Sequence, residues 1–181
     1  MQVKPTAISD VLVIEPKLFS DERGFFYESF NVATFARVTG FAARFVQDNH
    51  SSSKKNVLRG LHYQIKQPQG KLIQVTYGSV FDVAVDLRKR SPTFGRWVGQ
   101  ILDEKLRNAI WIPAGFAHGF LALSERAEVV YKVTDYWAPE HERKIVWNDP
   151  DLGIAWPLDG EPLLAAADRA APRFRDAELF E

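Results

Sequence analysis

The stretch Gly78-Ser-Val-Phe-Asp-Val-Ala-Val-Asp-Leu87 alternates without a break. In an extended chain Phe81, Val83, Val85 and Leu87 fall on one face, and Asp82, Ala84 and Asp86 on the other. A period of two marks a β-strand with one face against a core. By residue type alone, the face carrying Asp82 and Asp86 is expected to meet solvent. Gly78-Ser79 reads as a tight turn, and residues 71–77 supply the strand on its other side.

Working outward, the same pattern recurs in short pieces separated by Gly, Pro and polar residues. Strands are expected at 11–15, 24–30, 45–49, 57–65, 96–102, 109–112, 117–123 and 127–137. The polar run HSSSKKN (50–56) reads as a loop. One short helix stands out: Asn31 is a good N-cap for VATFARVTG, and Gly40 is a good stop. After Trp137 the pattern mixes strand, Pro-rich loop and short helix. Many short strands with turn signals between them predict an all-β antiparallel sandwich or barrel with a few short helices. No linker, repeat or low-complexity tract divides the chain, so residues 1–181 are read as a single domain.

Composition narrows the function classes. Of 181 residues 46% are hydrophobic and 13% aromatic, which is globular. The 23 Lys and Arg balance the 23 Asp and Glu. Without a global basic field, nucleic acid and anionic membrane are not expected partners. The chain has no cysteine, which excludes disulfides and thiolate metal sites and suits the cytoplasm. MQVKPTAISD lacks the apolar core of a signal peptide, and no apolar run reaches membrane-spanning length.

Two histidines carry the chemical interest. His62 lies in VLRGLHYQ (57–64) and His118 in IPAGFAHGF (112–120). The Pro-x-Gly-x-x-His turn resembles the second motif of the cupin superfamily, whose histidine points into a small jelly-roll barrel. Metal-binding cupins have His-x-His in their first motif. Here that place reads His62-Tyr63-Gln64, and glutamine is a poor ligand, so no metal is expected. A histidine free of metal suits general base work when a carboxylate orients its ring. Asp82, Asp86 and Asp168 are all candidates for that carboxylate. Lys71 and Tyr131 read equally well as a surface lysine and a core tyrosine. Arg23 and Arg59 can pair with an anion, with Phe26, Tyr136 and Trp137 available to stack on a base. Strict alternation puts Arg59 and His62 on opposite faces, so a shared pocket requires a bulge at Gly60 or a route around the strand.

Taken together, FxDERGFFYESF (19–30), FVQDNHSSS (45–53), VLRGLHYQ, QGKLIQVTYGSVFDVAVDLRKRSPTFGRW (69–97), IPAGFAHGFLALS (112–124), YKVTDYWAPEHER (131–143) and WNDPDLGIAWP (147–157) resemble the dTDP-4-dehydrorhamnose 3,5-epimerase family. The resemblance runs through nearly the whole chain in order. It implies a jelly-roll homodimer that needs no cofactor. It also implies proton abstraction and return at C3 and C5 of a dTDP-4-keto-6-deoxyhexose, with a mono-epimerase as the near alternative. It further implies that His62 is the base and Asp168 its partner, Tyr131 the acid on the other face, and Lys71 the cation beside the C4 oxygen. Arg23, Phe26, Glu28, Gln47, Asn49, Arg59, His118, Tyr136 and Glu142 fall at substrate-contacting positions, Arg23 and Phe26 across the dimer. There is one departure: the family's Leu-Ser-x-Lys-Asp is Leu164-Ala-Ala-Ala-Asp168 here. The aspartate remains, and the lysine's contact is lost at Ala167.

Overall fold

The computed structural model describes residues 1–181. In chain order the strands are β1 (Gln2–Pro5), β2 (Leu12–Glu15), β3 (Phe19–Asp21), β4 (Gly24–Phe26), β5 (Gln47–Lys54), β6 (Leu58–Gln64) and β7 (Lys71–Tyr77). They continue with β8 (Ser79–Asp86), β9 (Trp97–Asp103), β10 (Ala109–Ile112), β11 (Phe116–Ala122), β12 (Arg126–Val133) and β13 (Glu142–Lys144). Two short helices accompany them, α1 (Val32–Thr39) and α2 (Ala166–Arg169).

The expected all-β jelly roll is present, as two open antiparallel sheets and not as one closed barrel. One sheet runs β1-β2-β10-β7-β12-β5, the other β13-β6-β11-β8-β9. A small β3–β4 hairpin stands apart. Between the sheets lie Ile73, Val75, Val80, Ala84, Ile110, Phe116, Phe120 and Val129, all buried. Period two gives each strand a second face, and part of each sheet is covered on it. Phe35 of α1, with Phe30 and Phe45, closes over Leu12, Ile14 and Trp111. Phe35 meets Trp111 edge to face at a centroid distance of 5.2 Å. The C-terminal segment brings Ile145, Leu152, Trp156 and Phe174 over Leu61, Val83, Val85 and Leu87.

Asn31 and Gly40 bound α1 as expected. The Asn31 side chain accepts from Thr34 N at 3.0 Å, and Gly40 turns left-handed at φ 76°. Four expectations need correction. The polar run at 50–56 is mostly strand: β5 pairs with β12 over eight positions, from Gln47↔Val133 to Lys54↔Arg126. Its half-buried and exposed residues alternate, so the period was there but written in polar letters. The strand expected at 24–30 stops at Phe26, and the one expected at 127–137 stops at Val133. The face of β8 read as solvated points inward: Asp82 and Asp86 are both fully buried. Asp86 accepts from Arg88, Ser91 and Thr93, which lock the turn after β8. Asp82 accepts from His118.

Candidate active site

β6 carries the site, and its shape comes from Gly60. Against β11, Arg59 pairs with Phe120 and His62 with His118, so β6 spends one residue more than its partner across that step. This is a β-bulge, and it reverses the parity between Arg59 and His62. Both now share the inner face with their partners Phe120 and His118, which resolves the geometric difficulty of strict alternation. Gly60 sits at φ 125° with its backbone against Gly119.

On that face a cavity of about 240 Å³ opens between the sheets. Its walls include Gln47 and Asn49 from β5, His62 from β6, Lys71 from β7, Tyr131 from β12 and Glu142 from β13. Register aligns them: Tyr131 lies opposite both Asn49 and Ile73.

His62 Nε2 lies 2.8 Å from Asp168 Oδ1. The Asp168 side chain is 4% exposed and that of His62 is 32% exposed, so the pair joins the interior to the cavity mouth. Of the three candidate carboxylates, the structure brings Asp168 to His62, although 106 residues separate them. The chain delivers it by laying Leu163 against β6, with Leu163 N donating to Asn56 O at 2.8 Å and Leu58 N to Leu163 O at 3.0 Å. Burial penalises the Asp168 carboxylate, but donation from His62 and Lys144 outweighs it and holds the pKa well below the ordinary range. With Nε2–H donating to the carboxylate, the neutral ring keeps its lone pair on Nδ1, free to accept a proton.

Lys71 is 8% exposed. Burial pushes its pKa down to about 8, against the opposing pull of Asp82 and Glu142. Tyr131 is half-buried, and burial raises its phenol pKa while the Arg59 charge opposes the rise. It therefore stays a protonated hydroxyl at neutral pH. Glu142 accepts from the Trp137 indole at 3.0 Å. Gln47 bonds Asn49 at 2.8 Å and accepts from Trp137 N at 3.1 Å.

The other expected residues divide. His118 is buried on Asp82 at 2.9 Å as a second histidine–carboxylate pair, off the cavity wall. Arg59 lies beside the cavity, tied to Ser53 Oγ at 3.0 Å and Ser52 O at 3.1 Å. Arg23, Phe26, Glu28 and Tyr136 do not line it. Arg23 pairs with Asp21 on the exposed hairpin, Phe26 is 71% exposed, and Glu28 accepts from Asn31. Gln64, at the place of a cupin metal ligand, is committed elsewhere. Its amide donates to Gln67 O and Tyr136 O and accepts from Ala138 N, pinning the loop that carries Trp137.

Lys144 was not among the expected residues. It pairs with His62 across β13 and β6, and its Nζ is 2.8 Å from Asp168 Oδ1. The sequence offers one partial signal: Glu142 and Lys144 are two apart, so a strand there that turns Glu142 to the site turns Lys144 the same way, and the register with β6 then sets it beside His62.

Comparisons with known proteins place the chain in a family and a fold. The family model for dTDP-4-dehydrorhamnose 3,5-epimerase matches residues 5–176. A dTDP-4-dehydrorhamnose 3,5-epimerase of Pseudomonas aeruginosa is 59% identical over 180 residues, covering 99% of each chain. A crystal structure of the dTDP-6-deoxy-D-glucose-3,5-epimerase of Legionella pneumophila, in complex with dTDP-4-keto-L-rhamnose, superposes with a TM-score of 0.97 at 50% identity, covering 99% of this chain and 97% of that one. A 3'-monoepimerase from Streptomyces bikiniensis, in complex with dTDP-quinovose, superposes at 0.89 with 38% identity, covering 97% and 88%.

Proposed function

The chain belongs to the dTDP-4-dehydrorhamnose 3,5-epimerase family, and from that premise we infer how its cavity works. The protein is a nucleotide-sugar epimerase. It converts dTDP-4-dehydro-6-deoxy-D-glucose to dTDP-4-dehydro-L-rhamnose by inverting C3 and C5.

The C4 ketone acidifies the hydrogens on both neighbouring carbons. His62 Nδ1 takes one of them, and the C–H electron pair moves through the new double bond onto the C4 oxygen. Asp168 stabilises the imidazolium and fixes the ring. The Lys71 ammonium faces the enolate oxygen from a buried position, where its charge acts at short range through little water. The Tyr131 hydroxyl returns a proton to the opposite face of the carbon, which inverts it. The tyrosinate and imidazolium then re-equilibrate with solvent before the second carbon is treated the same way. Every step is proton transfer, so we propose that no redox cofactor or metal takes part.

For the nucleotide we propose Gln47, Asn49, Arg59 and Glu142 around the sugar and diphosphate. Arg23, Phe26 and Glu28 lie away from the cavity of their own chain. The exposure of Arg23 and Phe26 on the hairpin, with Glu28 just beyond it, supports a homodimer in which that hairpin serves the partner's site, with Tyr136 stacking nearby. A monomer by light scattering at micromolar concentration contradicts that arrangement. No helix is long and apolar enough to cross a membrane; the cytoplasm is the proposed workplace.

The observation that carries this reading is the His62–Asp168 contact at 2.8 Å on a cavity that also holds Lys71 and Tyr131. The test is incubation with the 4-keto sugar nucleotide in D2O. Deuterium should enter at both C3 and C5. Entry at one carbon alone identifies a mono-epimerase, and entry at neither overturns the assignment.

A further inference from the structure

The dyad has a third member. Asp168 Oδ1 accepts from both His62 Nε2 and Lys144 Nζ, each at 2.8 Å. Oδ2 receives only the Gly60 N–H, at 3.4 Å. Two donors converging on one oxygen are forced together, and Lys144 Nζ stands 3.4 Å from His62 Nε2. With Nε2 protonated that approach brings two donors face to face, so it is a repulsive contact and not a hydrogen bond. Glu142 Oε1, 3.4 Å away on the other side, holds the ammonium in place.

We propose that Lys144 is a positioning residue of the dyad: its ammonium shares the Asp168 carboxylate and opposes the charging of His62, so that the base stays free at lower pH. This rests on the reading of His62 as the base. Ala167, the neighbour of Asp168, brings no charge of its own. It lines the same shallow surface cavity as Lys144, so the cation at this place comes from β13.

The sign follows from the charges. The groups near His62 are Asp168 on α2, Lys144 and Glu142 on β13, Lys71 on β7, Tyr131 on β12, and His118 on β11 with Asp82 of β8 behind it. Asp168 and Glu142 favour the imidazolium; Lys71 and Lys144 oppose it. Removing Lys144 deletes an opposing charge and leaves Oδ1 wholly to the ring, and both changes make His62 easier to protonate.

Lys144→Met and Lys144→Arg test this, with circular dichroism to confirm that both fold. The free-enzyme titration of the His62 ring is followed by NMR, with His62→Gln to assign its signal. In Lys144→Met the midpoint should rise by about one pH unit, a normal effect for one adjacent charge. The acid limb of kcat/KM for the 4-keto sugar nucleotide should rise with it, costing about tenfold on that limb. Lys144→Arg should track the wild type in both. An unmoved midpoint, a loss equal at every pH, or Lys144→Arg behaving as Lys144→Met overturns the proposal. A wild-type enzyme that exchanges no deuterium defeats the functional reading instead, while the ring titration still reports on Lys144.

Discussion

Gly60 and Gly119 touch backbone to backbone across the β6–β11 bulge. A Cβ on Gly60 would stand 2.5 Å from Gly119 Cα and 2.9 Å from His118 O. Both obstacles are main chain and cannot swing aside. The φ of 125° adds a conformation that residues with a Cβ rarely adopt. Gly60→Ala is expected to destabilise the fold by roughly 3 kcal/mol or more. Its kcat should fall further than the melting temperature alone predicts, because the bulge puts His62 and Arg59 on one face. Thermal melts and kinetics on the soluble fraction check this. A variant with wild-type stability and rate would show that the bulge does not set the position of His62.

Asp168→Asn keeps the shape of the dyad and removes its charge. Turnover should drop by about 10³-fold, with substrate affinity changed far less. The carboxylate also bears on acid stability. Its folded pKa lies below the reference 3.8, so it contributes stability above about that pH, lost as pH falls toward the folded value. The variant should lack that acid-sensitive component in urea melts between pH 5 and 3. An unchanged catalytic rate refutes the dyad.

Lys71 carries a cost in stability. Its pKa falls from 10.5 to about 8 on burial. The folded state therefore binds fewer protons than the unfolded state between those values. The cost is fully present below pH 8 and relieved as pH rises through that window. Lys71→Met should stabilise the protein at pH 7 by up to about 3 kcal/mol while turnover collapses. In the wild type, kcat/KM should decline above pH about 8 as the ammonium loses its proton. A profile flat to pH 10 excludes Lys71 as the enolate's charged partner.

Tyr131→Phe separates the two faces of the sugar. His62 can still remove and return a proton on its own side, so deuterium should still wash into C3 and C5. Inversion needs the acid opposite and should slow by about 10²-fold. NMR in D2O distinguishes the two outcomes in one tube. Inversion at the wild-type rate means that some other group is the acid.

Much of the fold is legible because strands write their period plainly. The β8 alternation and the Asn31–Gly40 helix were readable from residue type alone. β5 was readable only at its start, Gln47–Asn49, since beyond that its alternation runs through His, Ser and Lys in a polar run that signals a loop. The inward turn of Asp82 was hidden for a related reason: His118, its partner, comes from a strand 36 residues on. Of the site, His62 could be singled out as a chemical residue. Choosing Asp168 over Asp82 and Asp86 took the family resemblance, because pairing across 106 positions leaves no local trace. Lys144 was missed because a lone lysine in a three-residue strand looks like any surface lysine. Only the β13–β6 register sets it beside the base.

The carboxylate that pairs with His62 rides on α2, within the segment whose Ile145, Leu152 and Phe174 seal the outer face of the second sheet. The contact between His62 and Asp168 therefore exists only in a chain that has laid its C-terminal segment over that sheet. Every residue of the cavity wall precedes that segment in the sequence, so a truncation before Ala166 removes the carboxylate and none of the lining.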